Sequence, residues 1–210
     1  MIFHTDKQTL DDLNILGRQG GNAIYAIFNI WTTRGGANVL EKMFRYPLSS
    51  AEEINHRAEI IRHFSSSGLD YPIQSTILDA VQIYMENRDS RTKLTAEDDT
   101  VSKKLSNALA SDLMTTQIKN GIAGLAELVD ATTRFLRQLQ LEPGHGYQAE
   151  LSDIRNLLSQ PVFVALLESK HKFSFAAFVK FDDLLRFRNR EAVDRLLDFL
   201  YHVDVYTAVG

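Results

Sequence analysis

The sequence predicts an all-α protein, and three observations support this class. Apolar residues recur at helical spacing along most of the chain, and no segment alternates with the period of two that is typical of strands. The four prolines, at positions 47, 72, 143 and 161, fall between the periodic stretches. With 210 residues, of which 44% are apolar, the chain can bury a core without disulfides, and it contains no cysteine.

The first elements surround a double glycine. The segment "TTRGG" at residues 32–36 predicts a turn, and an amphipathic helix is expected over residues 37–46. Pro47 ends that helix, because the residue before a proline avoids the helical region. Ser50 and Glu53 form a capping-box pattern that begins the next helix, which is expected to run to about residue 64. Its predicted inward side chains are Ile54, Ala58, Ile61 and Phe64.

The middle of the chain carries the clearest periodicity. One amphipathic helix is predicted over residues 72–87, and a seam of spacing 4, 3, 4, 3, 4, 3 follows. The seam consists of Ile118, Ile122, Leu125, Val129, Thr132, Leu136 and Leu139. A single helix over residues 101–141 would be about 60 Å long. Gly121 and Gly124 inside it indicate either a bend or a close helix contact.

The last third predicts a turn and four further helices. The turn is "EPGHGY" at residues 142–147, and the helices are expected at about 148–159, 161–169, 174–187 and 189–207. The last of these is strongly amphipathic through its valines and leucines. No internal repeat is found.

Composition excludes several function classes. The net charge is −4, so there is no overall basic field to attract nucleic acid. No Gly-Lys pair occurs, so the phosphate-binding signature G-x-x-x-x-G-K-[ST] is absent and catalysis by this chain is not expected. The N-terminus lacks the pattern of a signal peptide, and no apolar run is long enough to span a membrane. A soluble, cytoplasmic protein is therefore expected.

Two Glu-x-x-His units give the sharpest enzyme-like pattern, Glu53–His56 and Glu168–His171. Bundles that hold two metal ions use such pairs together with further glutamates. A capping role explains Glu53, however, and His171 lies between two lysines whose charge opposes a bound cation. No metal site is therefore predicted. The helix face formed by Glu52, His56, Glu59 and His63 is interpreted as solvated, with weak pairs.

Basic residues cluster in two stretches of the sequence. The second stretch lies in the C-terminal half and includes Lys170, Lys172 and Lys180, which are candidates for contact with DNA phosphates. Acidic residues are interleaved with them, and a solvated helix face is the competing interpretation.

Both chain ends carry motifs of one family. The segments are "TLDDLNI" at residues 9–15, "TRGGANVLEKMFRYPL" at 33–48 and "LLDFLYHVDVYTAVG" at 196–210. In order and spacing they resemble the core and lever domain of the MutS family of DNA mismatch repair ATPases. The positions that match its pattern are Thr33, Gly36, Leu40, Pro47, Leu48, Ile54 and Arg57. Asn38 stands where the family has arginine, and Met43 where it has tryptophan.

The resemblance implies a fold and a mechanical role. Residues 1–70 and about 148–210 would form a helical core, and about 71–147 would form long antiparallel lever helices that project from it. In the family, the lever couples the nucleotide state of a following ATPase domain, which binds ATP and Mg, to engagement of DNA. DNA, that C-terminal domain and a second copy of the chain are thus the implied partners. No Phe-x-Glu occurs, so the mismatch-wedge motif is missing.

Two other functions stay open on the sequence alone. One is a helical protein-interaction scaffold unrelated to DNA. The other is a di-metal helical enzyme that would use Glu53, His56, Glu168 and His171.

Overall fold

The protein is helical throughout the residues that its structure describes. The structure is a computed structural model, and it describes residues 7–17, 23–28, 32–99 and 110–210. Within these ranges every regular element is a helix, so the predicted all-α class is confirmed. No helix in the described ranges combines the length and the apolar character needed to cross a membrane.

Ten α-helices are described, and those from Arg34 onward follow the chain in the order predicted. The first four are α1 (Lys7–Asp12), α2 (Ile24–Ile27), α3 (Arg34–Arg45) and α4 (Ala51–Ser67). The next four are α5 (Ser75–Glu86), α6 (Ala110–Gln138), α7 (Gln148–Leu158) and α8 (Pro161–Ser169). The last two are α9 (Phe175–Asp182) and α10 (Arg190–Val209). Short 3-10 turns cover Ser90–Thr92 and Ala96–Asp99, and a π-helix covers Asp183–Arg188.

Helix α3 begins earlier than the sequence suggested. Its first turn contains Arg34, Gly35 and Gly36, which were expected to form a separate turn before the helix. Thr33 explains the difference, because its side chain accepts a hydrogen bond from the backbone N–H of Gly36 and so caps the helix three residues upstream. The predicted cap of α4 is confirmed, since Oγ of Ser50 accepts from the N–H of Glu53 at 3.5 Å.

Helix α4 buries a different stripe from the one predicted. Ile60 and Phe64 are its buried residues, whereas Ile54 is 48% exposed. Ile54 was expected inside, and that prediction was wrong. Its position in the first turn of the helix, six residues before Ile60, places it on another face at 3.6 residues per turn.

The chain divides into two compact units, each built from separate stretches of sequence. The first unit contains Met1–Tyr71, Leu139–Leu151 and Leu197–Gly210, and the second contains Pro72–Gln138 and Ser152–Leu196. The projection of lever helices from a core stays a prediction.

Within the second unit, the long helix α6 packs along α5. The six seam residues of α6, from Ile118 to Leu136, are buried, as is Leu139 just after its end, so the predicted inward face is confirmed. Ala126, Leu128 and Phe135 are buried as well, so the face is wider than the seam. The 29 residues of α6 correspond to about 43 Å of helix. The upstream part of the predicted helix, residues 101–109, lies outside the described residues.

The two glycines of α6 lie at its contact with α5. A Cβ at Gly121 would lie 2.2 Å from Cβ of Tyr84, and one at Gly124 would lie 2.9 Å from Cγ2 of Val81. Real Cβ atoms do not approach other atoms this closely. The glycines therefore allow a close helix contact, which was one of the two roles expected for them.

Candidate functional site

Thr33 forms the first part of a buried joint in the first unit. Its residue is 3% exposed, and its backbone is extended just before α3 begins. Oγ1 of Thr33 accepts from the N–H of Gly36 at 2.9 Å. The same hydroxyl donates to Oδ2 of Asp204 at 2.7 Å. One side chain thus caps a helix and joins it to a residue near the end of the chain.

Asp204 is the acceptor at the centre of this joint. It lies in α10 and is fully buried. Its Oδ1 accepts from the N–H of Thr32 at 3.0 Å, and its Oδ2 accepts from the N–H of Thr33 at 2.8 Å. Together with the Thr33 hydroxyl, three donors satisfy the carboxyl group, and a sequence separation of 171 residues is bridged. We call Thr32, Thr33, Gly36 and Asp204 the Asp204 joint.

The double glycine makes this approach of α3 and α10 possible. A Cβ added at Gly36 would lie 2.2 Å from Oδ2 of Asp204, and one at Gly35 would lie 2.2 Å from Cε1 of Tyr201. Both values are far below a normal nonbonded contact. The two glycines thus allow α3 to pack closely on α10, and they do so inside the helix rather than in a turn before it.

An apolar cluster surrounds the joint. Val39 and Leu40 of α3 and Val205 of α10 are buried together. Partly buried side chains that pack against them are Tyr25, Phe28, Met43, Phe44, Tyr201 and Val209. Apolar surroundings strengthen the hydrogen bonds of the joint because little water competes for the donors.

Tyr71 lies within electrostatic reach of the joint. Burial raises the pKa of its hydroxyl, and the neighbouring Asp204 and Tyr201 raise it further. The hydroxyl oxygen is buried without a hydrogen-bond partner. Tyr71 is therefore a neutral phenol at physiological pH.

The remaining motif residues differ in their burial. Leu40 is 4% exposed and belongs to the apolar cluster, whereas Pro47 and Leu48 are partly exposed after the end of α3. Arg57 is partly exposed on α4, where its charge lowers the pKa of Tyr206 against the larger, raising effect of burial. The structure thus unites Thr33, Gly36 and Leu40 with α10.

A second buried polar group lies in the second unit, where α9 continues into the π-helix. Asp182 and Arg186 form a salt bridge of 2.7 Å, and both side chains are fully buried. Arg186 also donates to the carbonyl and to Oγ1 of Thr92, each at 3.0 Å. Oδ2 of Asp182 accepts from the N–H of Leu94 at 2.8 Å. We call these four residues the Asp182 cluster.

Aromatic rings complete the surroundings of Arg186. Its guanidinium carbon lies 5.5 Å from the ring centroid of Tyr84 and 4.8 Å from that of Phe187. Burial raises the pKa of Tyr84, and the Asp182 carboxylate raises it further. The cluster holds the 3-10 turn at Ser90–Thr92 against the π-helix, a helix type that is frequent at functional sites.

Comparison with known proteins gives no relative. No family model, curated protein or solved structure matches the chain. The function proposed below is therefore based on the Asp204 joint, on α6 and on the sequence motifs.

The residues considered for a metal site do not form one in the described part of the chain. Glu53 and Glu168 are exposed, as is His171, while His56 is partly exposed. Across residues 7–17, 23–28, 32–99 and 110–210, no group of three or more histidine and acidic side chains has the geometry to hold a metal ion.

The three candidate lysines have different surroundings. Lys170 donates to Asp130 at 2.7 Å and contacts Glu127 at 2.9 Å, so its charge is balanced within the protein. Lys172 is exposed. Lys180 is also exposed, with its ammonium 5.8 Å from the ring centroid of Phe181. Lys172 and Lys180 are the more accessible candidates for phosphate contact, which stays a prediction.

Asp204 and Asp182 were missed from the sequence, and Arg186, which belongs to the second stretch of basic residues considered for phosphate contact, is buried. A signal for Asp204 was present, because it follows Leu197 by seven residues and Leu200 by four and so lies on the apolar stripe of α10. Asp182 and Arg186 have the i, i+4 spacing of a helical ion pair. That spacing is common on solvated faces, so it could not indicate burial.

Proposed function

We propose that residues 1–210 form the core and lever region of a MutS-like DNA-processing ATPase. The role is mechanical, and no chemistry is assigned to these residues. The observation that carries the proposal is the Asp204 joint. It ties the glycine motif at residues 33–36 to the helix that, by the resemblance, leads into an ATPase domain.

Rigidity of the joint supports a coupling role. Transmission between distant sites needs packed elements that move as bodies between discrete arrangements. Helix α10 has 20 residues, or about 30 Å of length, and its buried acid is held by three donors. A displacement of the end of α10 would therefore displace the start of α3 as well.

The packing of α6 supports the lever part of the proposal. The six seam residues that it contains are buried, and α5 packs along it through the contact at Gly121 and Gly124. Its buried face extends beyond the seam to Ala126, Leu128 and Phe135, and α8 and α9 contact it as well as α5, so several helices stiffen it.

The first test is the coding sequence that follows residue 210. The motif G-x-x-x-x-G-K-[ST] within roughly one further domain, about 150 residues, is the expected finding. If the reading frame instead stops there or continues without such a motif, the proposed ATPase is refuted.

The second test measures coupling in the extended protein. Binding to duplex, branched and mismatched oligonucleotides at low salt is expected, with ATP hydrolysis stimulated by DNA. Asp204→Asn weakens the joint and should lower the stimulated fraction of hydrolysis, while Asp198→Asn, at an exposed position of the same helix, should not. A protein that binds no DNA at low salt would favour the interaction scaffold, and equal stimulation in both variants would remove the joint from the coupling path.

A further inference from the structure

The turn after α6 packs on α4 through histidine rings. His145 lies in the turn and His63 lies on α4, with ring centroids 5.3 Å apart at an interplanar angle of 70°. A Cβ at the neighbouring Gly146 would lie 2.6 Å from Nδ1 of His56, so the backbone of the turn also touches that ring. The α4 face that was interpreted as solvated is thus covered at its histidines.

Both rings of the pair have buried nitrogens. Nε2 of His63 and Nε2 of His145 are inaccessible and have no hydrogen-bond partner. The side chain of His145 is only 8% exposed. Because buried polar atoms without partners are rare, a charge added to His63 would find little compensation here.

The hydrogen bond of His145 determines its neutral tautomer. Its Nδ1 lies 3.1 Å from the backbone N–H of Tyr147 and accepts from it. The ring proton must therefore be on Nε2. Protonation of Nδ1 would place its N–H opposite the N–H of Tyr147, so this hydrogen bond would break. Protonation of His145 at Nδ1 therefore disfavours the observed turn.

Some of the surrounding groups favour a charged histidine in this pair and others oppose it. Oε1 of Glu59 lies 3.7 Å from Nε2 of His145, outside hydrogen-bond reach but close enough to favour a charged ring. His56 adds a third imidazole on the other side of the turn. On α10, Tyr206 packs on Tyr147. Burial raises the pKa of Tyr206, Glu150 raises it further, and Arg57 lowers it. Burial lowers the pKa of His63, and the charge of His145 lowers it further, so repulsion and burial prevail there.

We propose that the contact between His63 and His145 is an acid-sensitive anchor, which holds the turn at residues 142–147 on α4 at neutral pH and releases it when the rings become protonated. The inference does not rest on the proposed function. The direction of the pH dependence follows from the linkage between proton binding and closure of the contact. A histidine whose pKa is lower in the closed state binds more protons when the contact opens, so closure is most stable above the ordinary value of about 6.5. Stability is lost as the pH falls from there toward the lowered pKa.

Titration of the rings by NMR tests the electrostatic part on the 210-residue chain. In the wild type, the Cε1–H signal of His63 should have its midpoint below 6.5. In His145→Gln the midpoint should move upward, since one source of repulsion is gone. The neutral ring of His145 should show the Nε2–H tautomer in its nitrogen shifts. An unchanged His63 midpoint in His145→Gln, or an Nδ1–H tautomer, would overturn the proposal.

Hydrogen exchange of the Tyr147 amide tests release of the turn. After correction for the intrinsic rate, protection should fall between pH 7.5 and 5.5, by up to about tenfold per pH unit. In His63→Gln the fall should be smaller, because a second charge no longer forms beside His145. Exposed His171 is the control, and His171→Gln should reproduce the wild-type fall. Protection that is independent of pH in the wild type, or an equal fall in His63→Gln, would contradict the anchor.

Discussion

Asp204 and Asp182 are both buried, but their carboxyl groups are bound by different kinds of donor. Both are fully buried in the described structure. Asp204 receives two backbone N–H groups and one hydroxyl, all from a segment at the other end of the chain. Asp182 receives a guanidinium four residues later on the same helical stretch, together with one backbone N–H. Asp204 is thus bound by neutral donors only, whereas the charge of Asp182 is balanced by an arginine on the same helical stretch.

The comparison indicates which lost interaction lowers the free energy of unfolding more. Removal of a charged partner leaves an uncompensated buried charge, whereas removal of an acceptor leaves uncharged donors without partners. The first penalty is larger. The two sites can therefore be separated by substitutions that change one type of partner at a time.

The largest effect is expected for Arg186→Met. It leaves the Asp182 carboxylate buried beside a thioether, and the free energy of unfolding should fall by about 3–5 kcal/mol. Denaturant unfolding followed by circular dichroism measures the loss. Arg188→Met, at an exposed position of the same π-helix, is the matched control and should change stability by less than about 1 kcal/mol.

The double variant Asp182→Leu with Arg186→Met sharpens this result. It removes both charges, so it should be less destabilised than Arg186→Met alone, although the N–H of Leu94 loses its acceptor. A double variant at least as unstable as the single one would show that charge balance is not what the arginine contributes.

Asp204→Asn should have the second-largest effect. The amide keeps one acceptor oxygen and places an NH2 group where donors already point, which should cost about 2 kcal/mol. The same denaturation experiment applies, with Asp198→Asn as the exposed control on α10. A loss as large as that of Arg186→Met would remove the distinction between the two aspartates.

Gly36→Ala tests how tightly the Asp204 joint is packed. Its new Cβ would collide with Oδ2 of Asp204, and α3 must shift away from α10. Overpacking of this kind should cost about 1–2 kcal/mol after the better helix propensity of alanine is included. Arg34→Ala in the same turn changes an exposed residue and should be close to neutral. A variant with unchanged or increased stability would mean that the close approach at Gly36 is not required.

The smallest effect is expected at a partly exposed pair, Lys170 and Asp130. The hydrogen bond from Lys170 lowers the pKa of Asp130, so the pair stabilises the fold above the ordinary value of about 3.9 and loses its effect as pH falls below it. Lys170→Met should cost at most about 1 kcal/mol at pH 7, and the difference from wild type should narrow toward pH 2. Lys172→Met is the exposed control. A difference that does not narrow in acid would indicate lost packing of the lysine stem.

The sequence predicted the parts of the fold that depend on local pattern. The seam of α6 and the cap at Ser50 were recognised because helical spacing and capping chemistry act over a few residues. The start of α3 and the exposure of Ile54 were mispredicted, since the cap at Thr33 and the burial of one face depend on what packs there.

The candidate sites were predicted less completely. The glycines at residues 35 and 36 predicted a turn, but not the close approach of α10 to them. The partner of Thr33 is 171 residues away, and that of His63 is 82 residues away. No local rule connects such positions. A single sequence gives spacing along the chain, whereas these contacts are set by how helices meet in space.

The distance between Thr33 and Asp204 along the chain also affects how the protein is made. The glycine motif leaves the ribosome early, but its acceptor is synthesised 171 residues later. Until then the donors of residues 32 and 33 and the apolar face of α3 lack their partners on α10. All of the second unit, which ends at Leu196, is already synthesised at that stage. The first unit therefore cannot complete this joint until Asp204 has been synthesised, and a nascent chain that stalls before that residue leaves the unit open to chaperones and proteases.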